Sequence, residues 1–327
     1  MIGAPLLEPR IDSWGYWTSR VVGVLVGAML LYLGLTIWAG VDQLGQALSN
    51  FPLATRLPLI LALVCLGLFL RGLRWRYYVL YLAWPIPFWP SITAFMASFA
   101  LTATPGKAGE VVKAGLLRSR YNIPMADTTG VLLVERLEDL LAVMILAAGG
   151  LTLLANAWLY FIICLAAVAG ITVFVTQEKL HRSFFAQLAR FPRLKPGVDK
   201  ALELLETGQR LLRPAPFING LAIAIIAWSC EAWAFHWILG GFGIGLPFLT
   251  SFSIYGLSTI IGALSMLPGG IGGVEAVMLL LLTTLGINPT AAVAPVVLVR
   301  FSTLWFGSLL GFVFMGGWLL THDLGGR

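Results

Sequence analysis

The sequence specifies an all-α, polytopic helical membrane bundle, and three observations point there. Hydrophobic residues make up 59% of the 327 and charged residues only 11%, against roughly 45–50% and ~25% in soluble chains, so a water-facing surface could not be covered. The apolar runs are continuous: neither 21–41 nor Ala157–Thr176 holds a charge, and each has about the ~20 residues that cross ~30 Å of hydrocarbon. Lipid admits only helices or closed barrels, and the ~10-residue alternation of barrel strands is missing.

The first run, 21–41, follows Arg10 and Arg20. It is too long for a signal-peptide core and has no small-residue cleavage pattern, so it reads as a retained helix. A second helix is expected to start after Pro58 and end near Leu82. Arg71, Arg74 and Arg76 occupy its last third, where snorkelling to the interface suits them. Residues 87–105 are short and interrupted, and lead into PGKAGEVVKAGLLRSR at 105–120. Helices follow at 128–154 and 157–176. The extended polar segment is 177–213, in which Leu202, Leu205 and Leu212 suggest a short amphipathic helix lying on headgroups. After a helix at 217–239 comes a second interrupted element, 247–285, with LPGGIGG at its middle. A final helix covers 289–320. The whole chain, 1–327, reads as one membrane domain with halves at 21–176 and 214–321 joined by the 177–213 loop.

Charge sets the orientation. Lys179, Arg182, Arg190, Arg193, Lys195, Lys200, Arg210 and Arg213 make 177–213 basic, hence cytoplasmic. Counting back through the preceding helices puts Lys107, Lys113, Arg118 and Arg120 on the same side, and the chain termini with them. This agreement requires that both Pro/Gly-broken elements be re-entrant hairpins; as full spans they would scatter the basic clusters over both faces. The expected location is the cytoplasmic membrane. A net charge of +6, dispersed in this way, gives no nucleic-acid surface. Cys65, Cys164 and Cys230 stand singly in apolar segments and read as small core residues.

The broken elements resemble each other. Pro105-Gly106-Lys107-Ala108-Gly109-Glu110 lines up with Pro268-Gly269-Gly270-Ile271-Gly272 and Glu275, while Val134-Glu135-Arg136 lines up with Leu298-Val299-Arg300. Upstream, Arg74 and Trp75 match His236 and Trp237, at offsets between 162 and 164 residues. Three full spans between the hairpins give the copies (the first at about 57–155) opposite orientation, the architecture of many secondary transporters.

Ionisable groups at membrane depth are costly and face a cavity or a partner. The interior set is Lys107, Glu110, Lys113, Glu135, Arg136, Glu138, Asp139, Glu231, His236, Glu275 and Arg300, joined by Arg74 through its place in the repeat. Glu110 and Lys113 share a helical face, as do Glu135 and Asp139. The mixed signs suit a zwitterionic or anionic headgroup; mutual pairing that holds the bundle together is the competing reading. Glu231 and His236 lack a metal-ligand spacing, and neither a Walker loop nor a dinucleotide motif nor a nucleophile elbow is present. No metal, cofactor or catalytic residue is expected. Ser98, Thr102, Thr104, Ser258, Thr259 and Ser265 read as partners for backbone groups freed at the breaks.

PGKAGEVVK at 105–113, VERLED at 134–139 and LPGGIGG at 267–273 with Glu275, together with Leu73-Arg74-Trp75, resemble the lysylphosphatidylglycerol synthase transmembrane region family over nearly the whole chain. The resemblance implies translocation of a polar-headed lipid between leaflets, with membrane lipids as partners. It also implies that the charged residues of PGKAGEVVK and VERLED line the headgroup path, closed by the second hairpin. Lys107, Lys113, Arg136 and Arg300 would meet phosphate. Glu110, Glu135, Asp139 and Glu275 would bind cationic or hydroxyl groups or carry a proton. With the sequence ending at Arg327, lysyl transfer is not among the expectations, and members linked to hopanoid or glycolipid chemistry widen the substrate class. An enzyme acting on lipid headgroups, with Glu110 or Asp139 as base, and a scaffold for a lipid-modifying enzyme are the alternatives.

Overall fold

The computed structural model describes residues 41–102, 109–150, 157–192, 194–265 and 267–323, and every regular element among them is helical. The expected helix at 21–41 lies outside the described residues. The elements are α1 (Val41–Asn50), α2 (Leu53–Tyr81), α3 (Phe88–Ala97, extended by a 3-10 turn to Leu101), α4 (Gly109–Tyr121), α5 (Met125–Ala147, extended to Gly150), α6 (Ala157–Thr176), α7 (Glu178–Leu188), α8 (Lys195–Leu211), α9 (Pro214–Gly241), α10 (Phe248–Leu264), α11 (Gly273–Thr284), α12 (Pro289–Arg300) and α13 (Phe306–Asp323).

Among the described residues, three helices are long and apolar enough to cross a membrane: α2, α9 and the continuous Pro289–Leu320. Helix α6, bent by 80° from α7, makes a fourth if that pair is one span. Helix α5 has 23 residues, about 34 Å at 1.5 Å per residue, with Glu135, Glu138 and Asp139 buried. By contrast Phe88–Leu101, α10 and α11 have 10–17 residues each, and at that rise about 25 Å at most, less than the bilayer core.

Several boundaries differ from the sequence expectation for local reasons. Helix α2 starts at Leu53, capped by Pro52, and carries Pro58 inside it; proline so near the start removes one ladder bond without ending the helix. Pro124 starts α5 three residues early, and Ala148–Gly150 tighten into a 3-10 turn, while the expected end near 154 lies outside the described residues. The polar segment holds two helices, not one. Within α8, Leu205 and Leu211 are buried, and Thr207 Oγ1 donates to Asp127 Oδ1 at 2.7 Å, so α8 packs on α5 instead of lying on headgroups. The last helix widens into a π-turn at Phe301–Trp305, directly after Arg300.

The two halves share their joints. Helices α2 and α9 both end in a left-handed residue, Ala83 (φ 57°) and Gly243 (φ 75°). The next amides reach back alike, Trp84 N to Val79 O (3.0 Å) and Ile244 N to Leu239 O (2.9 Å), a Schellman-type stop. Pro87 and Pro247 then cap α3 and α10. Helices α4 and α11 are followed by Asn122 (φ 54°) and Gly286 (φ 84°).

Helices α2 and α9 lie antiparallel. Tyr77 meets Asn219 at one end (3.2 Å), and Arg56 Nη1 donates to Trp237 O (2.9 Å) at the other. Midway, a Cβ on Gly67 would come 2.9 Å from Ala227 O, the close approach that small residues give membrane helices. Near Tyr77 lie the start of α5, fastened to α8, and the end of α6, where Gln209 Nε2 donates to Val175 O (2.8 Å). Arg120, near the end of α4, stands over the Trp318 ring (5.2 Å). Near Arg56 lie Phe51 stacked on Phe242 (4.7 Å) and Leu48 against Val293 and Ala294 at the start of α12. Ser253 Oγ reaches Leu146 O (3.4 Å), joining α10 to the end of α5.

Candidate functional site: a buried lattice of charge

Helix periodicity gathers the site. On α2, Arg71, Arg74, Trp75 and Tyr78 fall three and four apart, one inward stripe. On α5, Glu135, Glu138 and Asp139 do the same, and of the five charged groups of the two stripes all except Arg71 and Asp139 are at most 1% exposed.

The side chains are fastened to one another. Arg74 Nη1 lies 2.9 Å from Asp139 Oδ1 and 3.4 Å from Glu138 Oε2, and Tyr78 donates its hydroxyl to Glu138. Asp139 also pairs with Arg136 (3.0 Å) and accepts from Trp228 Nε1 (3.1 Å). Arg71 pairs with Glu231 (2.5 Å), its guanidinium 4.2 Å from the centre of the Trp228 ring; Tyr255 donates to the other Glu231 oxygen. Lys113 pairs with Glu135 (3.0 Å) and sits 3.9 Å from the Trp75 ring centre.

The second half has its own pair. Arg300 Nε donates to Glu275 Oε1 (2.8 Å) and Nη2 to Gly269 O (2.6 Å). Glu275 Oε2 accepts from Gly272 N (2.8 Å). The backbone here needs glycine, because Gly269, Gly270 and Gly272 all have positive φ, a region that costs side-chain-bearing residues dearly. LPGGIGG thus builds a turn whose carbonyl and amide are both read by one ion pair.

Ion pairs at this burial survive only with close geometry and further hydrogen bonds. Some capacity is unused: Arg71 Nε and Nη2 and Glu135 Oε1 are buried without a hydrogen-bond partner. Arg136 is the outlier in exposure, its side chain 38% exposed.

The structure brings together Arg74, Lys113, Glu135, Arg136, Asp139 and Glu231, and separately Glu275 with Arg300. Pro105, Gly106 and Lys107 lie outside the described residues, as does the side chain of Glu110; Gly109 opens α4. Pro268, Gly269 and Gly270 form the 3-10 turn before α11.

Corrections follow. Arg71 does not snorkel: a carboxylate and an indole hold it inside the bundle. Arg76 turns instead to Ile86 O (2.5 Å). Of the cations expected to meet phosphate, Lys113, Arg136 and Arg300 are each engaged by a carboxylate. The shared joints put α2 and α9 in register at the 160-residue separation of Arg71 and Glu231. Arg74 then corresponds to Ala234, not His236, and His236 lies apart, 3.0 Å from Ser251 Oγ. Of the hydroxyls, Ser98 and Ser265 do serve backbone carbonyls, Phe95 O and Gly262 O. Sequence reasoning passed over Tyr78, Trp228 and Tyr255; the spacing of Arg71, Arg74 and Tyr78 along one helical face was the available signal.

A helical protein with several long apolar helices, shorter apolar helices between them and paired charge inside belongs to the membrane-embedded classes. The family model for the lysylphosphatidylglycerol synthase TM region matches residues 20–311, and the chain belongs to that family. Relatives include two proteins of Methanothermobacter thermautotrophicus, each described as a UPF0104 membrane protein. One is 24% identical over 320 residues, covering 87% of this chain and 93% of its own. The other is 26% identical over 314 residues, covering 88% and 90%. A UPF0104 membrane protein of Pyrococcus horikoshii is 25% identical over 319 residues, covering 89% and 93%.

Proposed function

We propose that this chain translocates a polar-headed phospholipid, or a glycolipid or hopanoid-type lipid, between leaflets of the cytoplasmic membrane. The acyl chains stay in lipid while the headgroup passes the charged interior. Arg74, Lys113, Glu135, Arg136, Asp139 and Glu231, with Lys107 and Glu110 from the first break and Glu275 and Arg300 from the second, receive it. No catalytic step is assigned.

One observation carries the reading. The α3–α4 unit follows the end of α2, where Tyr77 meets Asn219 of α9, and finishes at Arg120, over the Trp318 ring; the α10–α11 unit follows Phe242 and leads into the start of α12, where Val293 and Ala294 meet Leu48. Inverted re-entrant hairpins would have this layout, and each is tied to the helix after it by an ion pair, Lys113–Glu135 and Glu275–Arg300. A buried ion that trades its partner for a charged headgroup keeps its charge compensated, which avoids the cost of stranding it. The end that carries Arg118, Arg120 and the α7–α8 segment is the cytoplasmic one by its basic residues, with both termini there.

The test is reconstitution into vesicles with fluorescent lipids and an impermeant quencher. The protein should equilibrate a phosphate-headed lipid between leaflets, and Arg136→Ala, at the most exposed cation, should abolish this while the protein stays folded. Equilibration no faster than in empty vesicles overturns the reading.

A further inference from the structure

Helix α7 carries a surface that lipid translocation does not use. It turns 80° from α6, so if α6 runs along the bundle, α7 runs across its end. Its faces divide three ways. His181 is buried, Nδ1 3.1 Å from Phe174 O, and Phe185 turns to the same ring. Leu180 and Phe184, one turn apart, are 50% and 51% exposed, and Phe191 just beyond the helix is 62% exposed. Lys179, Ala186 and Arg190 fall on the remaining side, all exposed.

Phe174 shows which way the apolar stripe looks. It lies inside the last turn of α6, and the Phe184 ring meets it edge-on at 5.8 Å. Phe184 therefore points back along the apolar helix, toward the layer from which α6 emerges. Apolar residues facing that layer, with basic residues beside them, are the requirements for a helix lying in the headgroup region. Lysine and arginine there attract anionic lipid over about a Debye length.

We propose that α7 with residues 189–192 is an interfacial anchor. Leu180, Phe184 and Phe191 sit at the acyl boundary, and Lys179, Arg190 and Lys195 gather anionic phospholipid headgroups around the basic end. Only the naming of the leaflet as cytoplasmic rests on the orientation proposed above.

The test uses the full chain in vesicles, labelled with an environment-sensitive fluorophore at Phe184→Cys or Ala186→Cys; the unsubstituted protein, whose own cysteines are buried or half-buried, gives the background. A small, fixed fraction of brominated phosphatidylglycerol or brominated phosphatidylcholine serves as the quencher. At position 184 the anionic quencher should lower emission about twofold more than the zwitterionic one at low salt, and high salt should erase the difference. Position 186 should be quenched little by either. Absence of quenching at 184 overturns the proposal, showing a surface given to water or to another protein. Equal quenching at 184 and 186 overturns it too, since the helix would then be immersed, and equal effects of the two lipids overturn the anionic selection.

Discussion

In the first half α2 passes to α3 through Ala83 and Pro87; in the second, α9 passes to α10 through Gly243 and Pro247, with matching backbone bonds. The interiors behind these joints are unlike. Behind the first lie Arg74 and Arg136, joined through Asp139 with Glu138 also on Arg74, and beside them the Lys113–Glu135 pair. Behind the second lies Glu275–Arg300, anchored on a glycine turn. The same backbone joint thus accommodates unlike interiors: a glycine turn clamped by one ion pair in the second half, and several pairs carried on helix faces in the first.

The sharpest way to break this comparison is at Arg74. Arg74→Ala would leave Glu138 and part of Asp139 buried without their cation, and losing one partner of a buried pair costs about 3–5 kcal/mol. Thermal unfolding in detergent should show a drop larger than for any substitution in the second half. An equal or smaller drop than for Arg300 variants would remove the asymmetry.

Next in size is the link between the halves. Arg71→Met or Glu231→Met alone strands one buried charge and should cost about 3 kcal/mol. The double variant should recover most of that, because two apolar side chains then meet beside Trp228. Additive losses in a double-mutant cycle would mean that Arg71 and Glu231 are not coupled across α2 and α9.

Much of this frame was legible in the sequence. Continuous apolar runs gave the long helices, and Ala157–Thr176 matched to the residue. Pro and Gly marked the breaks, since their backbone effects are local. The partnering of charges was not legible. Arg71 three residues before Arg74 looks like any basic helix end, and only the antiparallel seating of α9 puts Glu231 and Trp228 against it. The two-residue slip that matched Arg74 with His236 has the same origin: the register is fixed by the joints at Ala83 and Gly243, whereas side-chain likeness pointed to the neighbouring turn.

A steric test sharpens the first half further. A Cβ on Gly220 would collide with the Tyr78 hydroxyl and the Glu138 carboxylate, so Gly220→Ala should cost about 1–3 kcal/mol through overpacking. In the second half, Arg300→Lys keeps the charge but cannot span both Glu275 and Gly269 O, and should cost about 1–2 kcal/mol. Melting temperatures measured side by side would rank them, and a silent Arg300→Lys would show that the glycine turn holds without its guanidinium clamp.

The smallest effect belongs to charge outside the bundle, and it calibrates the rest. Arg182 lies 2.7 Å from Glu178 and 4.0 Å from Glu206, with all three side chains about 60% exposed. Water and salt screen such a pair, and ordering two long side chains offsets the Coulomb gain, so Arg182→Ala should change stability by about 0–0.5 kcal/mol. Its distance to Glu178 is shorter than any separation between Arg74 and its carboxylates, yet the expected consequences differ several-fold. If Arg182→Ala proved as damaging as Arg74→Ala, burial would not be what gives the interior lattice its weight.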